Sequence, residues 1–194
     1  MARYDPFAPN ADRSIPVNTP TPVDGKVILL PYDPQWAGMY ESEAEHIRKA
    51  LGERALVLEH IGSTSVPGLV AKPCIDILLG VADSSDEDSY VPQLDAAGFV
   101  LRLRHPDWNE HRAFKSERIN VNLHVWTVGD SEIDRHLEFR DWLRTYPEDR
   151  DLYAEAKRRI AAESHATMPD YAEAKNEVVQ QIQDRINAHR SGTG

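Results

Sequence analysis

Residues 60–77 read HIGSTSVPGLVAKPCIDI and are the most informative stretch of the sequence. Residues 55–61 predict a strand that ends in this stretch. Ile75–Val81 is a nearly continuous apolar run, which is typical of a central strand covered on both faces. Between these two strands the chain is rich in glycine and hydroxyl residues, which favour turns. The sequence therefore predicts two strands separated by a polar turn.

This turn has the composition of an anion-binding site. Gly62 and Ser63 directly follow the first strand, and Thr64 and Ser65 add two further hydroxyl groups. Backbone amides and hydroxyl donors at a strand exit suit phosphate oxygens, because fixed dipoles then meet negative charge without steric obstruction. Lys72 would add a positive charge. The alternative interpretation is a tight structural turn that binds nothing.

Asp76 stands in the second strand where an apolar residue is expected. A charge at a buried position is costly unless it is paired, hydrogen-bonded or bound to a metal. One interpretation is contact with a ligand or a metal. The other is a structural role, in which Asp76 accepts from backbone amides or pairs with Lys72.

A later strand, residues 121–128, alternates between apolar and polar side chains, and His124 lies on its polar face. His124 is either a partly buried structural residue or an acid/base group that titrates near neutral pH. Upstream, four potential metal ligands match no zinc spacing and instead predict a polar loop: His105, Asp107, Glu110 and His111.

The rest of the chain predicts further strands at 99–103 and 112–115 and helices elsewhere. A first helix follows Asp33 and Pro34, because aspartate caps helices and proline suits their first position. A second helix is expected at residues 86–97. The end of the chain is helical throughout, with three helices predicted at residues 133–145, 147–164 and 169–189.

The terminal helices have basic residues at helical spacing. The pentapeptide Tyr-Ala-Glu-Ala-Lys occurs twice, and each copy places a tyrosine and a lysine on one helix face: Tyr153 with Lys157, and Tyr171 with Lys175. If these faces meet the turn, Arg140 on the preceding helix would join both lysines in a cationic cluster beside Ser63. The alternative for the repeat is a plain solvated helix, because its residues are good helix formers.

Composition indicates an ordinary globular protein of 194 residues, with 41% hydrophobic residues and a single cysteine. One cysteine excludes an internal disulfide framework and a multi-cysteine zinc site. The formal net charge of −10 argues against broad nucleic-acid or anionic-membrane binding. No apolar run approaches the roughly 20 residues of a membrane helix, and no signal-peptide pattern is present. We therefore expect a cytoplasmic protein.

The predicted domain organisation has three parts. Residues 1–22 contain five prolines and predict an extended arm. Residues 23–190 predict a single domain, and residues 191–194 a flexible tail. An arm of this kind is suited to exchange between subunits, so a homodimer formed through it, with a structural role, is a further expectation.

Several motifs, in the same order along the chain, resemble the GrpB family within the nucleotidyltransferase superfamily. The resemblance spans residues 23–186. It implies an α/β (α+β) fold with a nucleotidyltransferase-like mixed sheet, flanking helices and a helical C-terminal part. The matching stretches are Tyr32-Asp33-Pro34 with Trp36, residues 60–68, Lys72-Pro73 with Ile75-Asp76-Ile77, Leu123-His124-Val125, Phe139-Arg140-Asp141 with Leu143-Arg144, and the two tyrosine–lysine pairs.

The resemblance implies that the turn holds the phosphates of a nucleotide and that carboxylates hold Mg²⁺ for nucleotidyl or phosphoryl transfer. Asp76 is the candidate Mg²⁺ ligand and, with His124, a candidate catalytic residue. The sequence departs from the superfamily pattern, because Leu78 stands where a second acid would be and His124 where a third would be. The alternative is a non-catalytic ligand-binding or regulatory domain. Since some family members are fused to dephospho-CoA kinase, this domain would have a coenzyme-A-related role.

Overall fold

A mixed sheet of six strands forms the centre of the protein, whose computed structural model describes residues 15–16, 27–163 and 174–192. The strands are β1 (Ile15–Pro16), β2 (Val57–Ile61), β3 (Ile75–Val81), β4 (Phe99–His105), β5 (His111–Ser116) and β6 (Val121–Thr127). The helices are α1 (Gln35–Leu51), α2 (Val91–Ala96), α3 (Ser131–Thr145), α4 (Pro147–Ala162) and α5 (Asn176–Gly192). The strand order is β1-β4-β5-β6-β3-β2.

Strand β3 lies inside the sheet and is almost entirely buried, as its apolar sequence predicts. It pairs in parallel with β6 and antiparallel with β2. The register places Asp76 opposite Ile61 on β2 and opposite Asn122 on β6. Asp76 therefore lies near the end of β3 at which the neighbouring strand β2 also ends.

The two faces of the sheet bury different helices. Helices α1 and α2 pack on one face, where a large apolar cluster includes Ile47, Leu94, Ile77 and Val125. Helix α3 packs on the opposite face, and α4 and α5 complete a second cluster around the turn after β2. This arrangement confirms the predicted α+β architecture.

Local structure around the first two helices follows the predicted signals, with one clear difference. Asp33 Oδ1 accepts a hydrogen bond from the Gln35 amide at 2.9 Å, as expected at a helix start. The predicted helix at 86–97 is instead a 3₁₀ turn (Glu87–Ser89) followed by the short α2. Pro92 is the physical reason, because proline lacks the amide donor that a continuous helix needs in its interior but is tolerated in the first turn, where α2 begins.

The ends of the chain are described in part. Ile15–Pro16 pairs with Leu103 and Arg104 of β4 as an antiparallel edge strand, a position that tolerates proline. At the other end, α5 continues to Gly192, which is two residues beyond the predicted domain boundary. Within the described ranges, no helix combines the length and the apolar character needed to cross a membrane.

Candidate functional site

The turn after β2 depends on a glycine. Gly62 has φ +71° and ψ −174°, a conformation that side-chain-bearing residues rarely adopt. A Cβ atom at this position would lie 2.9 Å from Asp76 Cβ and would also overlap the carboxylate. Gly62 and Asp76 therefore form one structural unit, in which the turn passes directly over the carboxylate.

The three hydroxyl residues of the turn differ in their environment. Ser65 Oγ donates to the Gly62 carbonyl at 2.6 Å, and Thr64 Oγ1 donates to the Cys74 carbonyl at 3.2 Å. Both residues are buried, so these hydroxyls hold the turn in shape. Ser63 is half-buried and accepts a hydrogen bond from Lys157, so its own hydroxyl proton remains available for donation.

Lys157 is the central basic residue of the site. It extends from α4, is 2% exposed, and its Nζ donates to Ser63 Oγ at 2.8 Å and to the Val70 carbonyl. The same nitrogen lies 5.0 Å from the centre of the Tyr153 ring. Burial, followed by the nearby charge of Lys175, lowers the pKa of Lys157 to about 6, although Asp76 acts in the opposite direction.

Lys175 lies close enough to Asp76 and to Lys72 for both charges to act on it. Lys175 is half-buried just before α5. Burial lowers its pKa to about 8; Asp76 opposes this shift and the charge of Lys72 adds to it. The structure thus brings together the turn, Asp76 and the three lysines that the sequence analysis placed there.

Arg140 is bound by protein acceptors. Its guanidinium donates to Glu59 Oε2 at 2.7 Å, to the His60 carbonyl at 3.1 Å, and to both carboxylate oxygens of Asp141. The two hydrogen bonds to Glu59 and His60 fasten α3 to the end of β2. Arg144 of the same helix donates to the Ser65 carbonyl at 2.8 and 3.0 Å. Both arginines therefore hold backbone carbonyls at or next to the turn.

The two predicted tyrosines have different outcomes. Tyr153 is buried and packs edge to face on Phe139, with ring centres 5.6 Å apart. It belongs to the apolar cluster beneath the turn. Tyr171 lies outside the described residues. Contact of either tyrosine with a ligand stays a prediction.

Asp76 and His124 are neighbours on the polar face of the sheet. Asn122 Nδ2 donates to Asp76 Oδ1 at 2.6 Å, and His124 Nε2 lies 4.0 Å from the same oxygen. Asp76 therefore has a side-chain amide as its partner. Burial lowers the pKa of His124, which makes the neutral imidazole the main form at pH 7, although Asp76 acts in the opposite direction.

The predicted Mg²⁺ site does not fit these donors. Mg²⁺ prefers an octahedron of oxygen ligands, but the neighbours of Asp76 are an amide nitrogen and an imidazole. Leu78, at the position of a second acid, is fully buried in an apolar cluster with Ile61 and Trp126. Within residues 27–163 and 174–192, no three His, Cys, Asp or Glu side chains are arranged to hold a metal ion. We derive no step through a metal.

Two histidines that the sequence analysis assigned to a polar loop belong to the sheet. His105 is the last residue of β4 and His111 the first of β5, so the prediction of a loop at these positions is wrong. His105 Nδ1 lies 2.9 Å from His111 Nδ1, and His111 Nε2 lies 3.1 Å from His124 Nδ1. The pairing of three strands creates this arrangement, and spacing along the chain gives no sign of it.

A separate groove of about 350 Å³ lies between α3 and α5. Leu137, Trp142 and Ile186 form its apolar part. None of its lining residues belongs to the turn, so the groove and the candidate site are distinct features of the surface.

Comparisons with known proteins agree with the family resemblance of the motifs. A family model described as GrpB protein matches residues 26–185. A UPF0157 protein of Halalkalibacterium halodurans is 53% identical over 167 residues, covering 86% of each chain. A dephospho-CoA kinase of Mycolicibacterium paratuberculosis is 30% identical over 200 residues, covering 89% of this chain and 47% of that protein. The crystal structure of the protein GrpB from Enterococcus faecalis has a TM-score of 0.63 at 29% identity and covers 80% of this chain and 99% of that one.

Proposed function

The chain belongs to the GrpB family, and we propose that it binds a nucleotide or another phosphorylated small molecule at the turn formed by residues 62–65. The observation that supports this proposal is the hydrogen bond of 2.8 Å between the buried Lys157 Nζ and Ser63 Oγ. A buried lysine is costly to a fold. Its position at a glycine-serine turn, with Lys175 and Lys72 nearby, is accounted for by an anionic ligand.

The lowered pKa of Lys157 fits this role. Near pH 7 the amine is largely neutral without a ligand, because its pKa is about 6. A phosphate group beside Ser63 would bring negative charge and favour the ammonium form. Binding would then draw a proton onto Lys157 and create a charged hydrogen bond, which is roughly twice as strong as a neutral one.

The finer part of the proposal concerns chemistry at the bound ligand. Asp76 would orient a hydroxyl group of the ligand, and His124 Nε2 would exchange a proton with it. Nucleotidyl or phosphoryl transfer is the reaction class that such a pair would serve. Both groups lie at the turn, which would place the ligand's phosphate and its reacting oxygen in one site.

A second candidate is a binding domain for a coenzyme-A-related molecule without catalysis. The match to a dephospho-CoA kinase, of which it covers about half, supports this candidate. The burial of Leu78 in an apolar cluster also supports it, because the position of a second acid has become part of the core. Dephospho-CoA and CoA both bring phosphates that would occupy the same turn.

Thermal shift and calorimetry with a ligand panel would test the proposal. The panel contains inorganic phosphate, ATP, dephospho-CoA and CoA, and the variants are Lys157→Met and, as a control, Lys49→Met on the exposed surface of α1. We expect a panel member to raise the melting temperature of the native chain and of Lys49→Met. Lys157→Met should bind it at least tenfold more weakly. Equal binding by the two variants, or no shift with any panel member, would contradict the proposal.

An assay of turnover would distinguish the two candidate functions. Release of pyrophosphate or transfer of phosphate, lost in Asp76→Asn, would support transfer. Binding of dephospho-CoA or CoA with no product formed would support the binding domain. Turnover that Asp76→Asn leaves unchanged would contradict the role given to Asp76.

A further inference from the structure

Three imidazoles form a row across the face of the sheet that bears Asp76. His105 on β4 is the direct cross-strand partner of His111 on β5. His124 on β6 is the next in line, because it pairs with Ala113, two residues along β5 from His111. The register of three strands therefore places His105, His111 and His124, here called the imidazole row, side by side.

The nitrogens of the row meet end to end. The first contact joins His105 Nδ1 and His111 Nδ1 at 2.9 Å, and the second joins His111 Nε2 and His124 Nδ1 at 3.1 Å. Both distances are those of hydrogen bonds. His111 therefore uses both of its ring nitrogens, while the outer nitrogens, His105 Nε2 and His124 Nε2, form the two ends of the row.

Packing fixes the rings in these orientations. The ring centres of successive histidines are 5.1 and 5.2 Å apart, with interplanar angles of 17° and 18°. Trp126 stacks on His111 at 4.4 Å, and His111 is 2% exposed. His105 and His124 are both half-buried, and only the His124 end of the row lies beside Asp76.

The surroundings keep the row uncharged. Burial lowers the pKa of His105 to about 4 and that of His111 well below its usual value. Arg112 on β5 and His136 on α3 lower the pKa of His111 further, and the charge of Lys115 acts in the same direction on His124. Asp76 is the group that favours a proton on His124. A neutral imidazole has one donor nitrogen and one acceptor nitrogen.

Only two sets of tautomers satisfy both hydrogen bonds of a neutral row. In the first, His105 Nδ1, His111 Nε2 and His124 Nε2 have the protons, and every donor points toward Asp76. In the second, all three tautomers are reversed. The first set is favoured, because it directs an N–H rather than a lone pair of His124 toward the Asp76 carboxylate at 4.0 Å.

We propose that the imidazole row is a proton relay that delivers a proton from solvent at His105 to a ligand oxygen beside Asp76. The presence of a ligand at this end of the row rests on the proposed function, whereas the alignment of the tautomers is independent of it. His124 Nε2 gives its proton to the ligand oxygen as that oxygen's bond to phosphorus breaks and the phosphorus bonds to the oxygen of an acceptor hydroxyl. The His111 Nε2 proton moves to His124 Nδ1, and the His105 Nδ1 proton moves to His111 Nδ1.

A water molecule completes the step by giving a proton to His105 Nε2. One proton has then entered at His105 and one has left at the ligand, while each imidazole is neutral before and after with its tautomer reversed. His124 is the group that meets the ligand. His105 and His111 act through it and are positioning residues. The acceptor hydroxyl then gives its proton to His124 Nε2, and the row run backwards passes one from His105 Nε2 to the hydroxide, which restores the water and the first tautomer set.

Nitrogen-15 NMR of the full-length chain, labelled at histidine, tests the relay without any ligand. We expect one protonated nitrogen in each ring, at His105 Nδ1, His111 Nε2 and His124 Nε2, with both internal hydrogen bonds visible as couplings or protected protons. The variant His111→Phe keeps an aromatic ring on Trp126 and removes both hydrogen bonds. His105, which is linked to Asp76 only through His111, should then become a mixture of tautomers, while Asp76 still favours the Nε2 proton of His124. The control His46→Phe, at an exposed position of α1, should leave all three signals unchanged.

A second variant keeps the outcome clear. His105→Phe removes only the half-buried end and should leave the Nε2 protons of His111 and His124 in place, because Asp76 still directs His124 and His124 directs His111. A wild-type row with mixed tautomers, or a His105 tautomer that His111→Phe leaves unchanged, would overturn the relay. If the tautomers are aligned but no phosphorylated molecule binds, the proposed function fails and the aligned row stands. If ligands bind through Lys157 while the tautomers are mixed, the relay alone fails.

Discussion

At the scale of single residues, Gly62 has the sharpest steric requirement in the site. Its φ of +71° belongs to backbone that glycine adopts freely, and the Asp76 side chain occupies the space of a Cβ atom. The two residues therefore constrain each other: the position of the turn fixes the carboxylate, and the carboxylate excludes any larger residue from the turn.

Gly62→Ala should destabilise the fold. The backbone conformation alone costs about 1–3 kcal/mol for a residue with a side chain, and displacement of Asp76 adds to that cost. Urea unfolding would measure the change. Gly38→Ala, on the exposed side of α1 with no atom near its Cβ position, is the matched control and should stabilise the chain by about 0.5–1 kcal/mol. Equal effects of the two substitutions would contradict the steric argument.

Lys157 should give the stability of the protein a distinct pH dependence. Its pKa is about 6 in the folded state and near its ordinary value when unfolded, so between these values the unfolded chain binds more protons. The stability of the native chain should therefore rise with pH from about 6 upward, relative to Lys157→Met, by at most about 1.4 kcal/mol per pH unit. Urea unfolding of both proteins at pH 6, 7 and 8 would measure this. A difference that stays constant with pH would contradict the lowered pKa.

The residues of the site were predictable to different degrees. The composition of the turn, the anomalous charge of Asp76 and the spacing of the basic residues led to Ser63, Lys72, Lys157 and Lys175. The partners of Arg140 were not predictable, because Glu59 lies 81 positions earlier in the chain and reaches it only through the packing of α3 on β2. Contacts between distant elements have no local signal in a sequence.

At the scale of elements, β3 shows that one strand serves both the core and the site. Asp76 is the second residue of β3 and lies beneath the turn. Leu78, two residues later, points to the same face but is fully buried against Ile61 and Trp126. Position along the strand, rather than the face, decides which side chain reaches the site.

Leu78→Asp should destabilise the fold without creating a metal site. An unpaired carboxylate among apolar groups is one of the substitutions that cost more than about 4 kcal/mol. Leu78→Met, which conserves volume, should cost less than about 1.5 kcal/mol. Urea unfolding with and without millimolar Mg²⁺ would compare them. Recovery of stability by Leu78→Asp on addition of Mg²⁺ would contradict the poor fit of this site to the metal.

Elements were predicted better than their pairing. The apolar run of β3 and the alternation of β6 identified both strands within a residue or two, because burial on one or both faces imposes these patterns. The imidazole row was not predictable, since it requires the register of β4, β5 and β6. Spacing between His105 and His111 suggested only a loop, and a tight connection between paired strands looks the same in sequence.

At the scale of the whole molecule, the arm and the sheet edge are linked. Ile15–Pro16 covers part of the outer edge of β4, and an uncovered edge is prone to pair with another chain. The same pairing is available to the arm of a second copy, which is the geometry that a homodimer through the arm requires. That homodimer stays a prediction.

Deletion of residues 1–22 should change the oligomeric state of the protein in solution. Light scattering coupled to size exclusion should give a dimer for the full chain and a monomer for the deleted chain if the arm exchanges between subunits. A deletion of residues 1–12 retains Ile15–Pro16 and is the control that should remain dimeric. The same oligomeric state for all three chains would contradict a role of the arm in assembly.

The burial of Lys157 within a chain of net charge −10 has a kinetic consequence. An approaching phosphate first meets the repulsive field of the whole molecule and reaches the attractive lysines only at short range. Dissolved ions weaken the long-range field more than close contacts. Added salt should therefore accelerate capture of the anion, which is the reverse of the behaviour of proteins that attract their ligands from a distance.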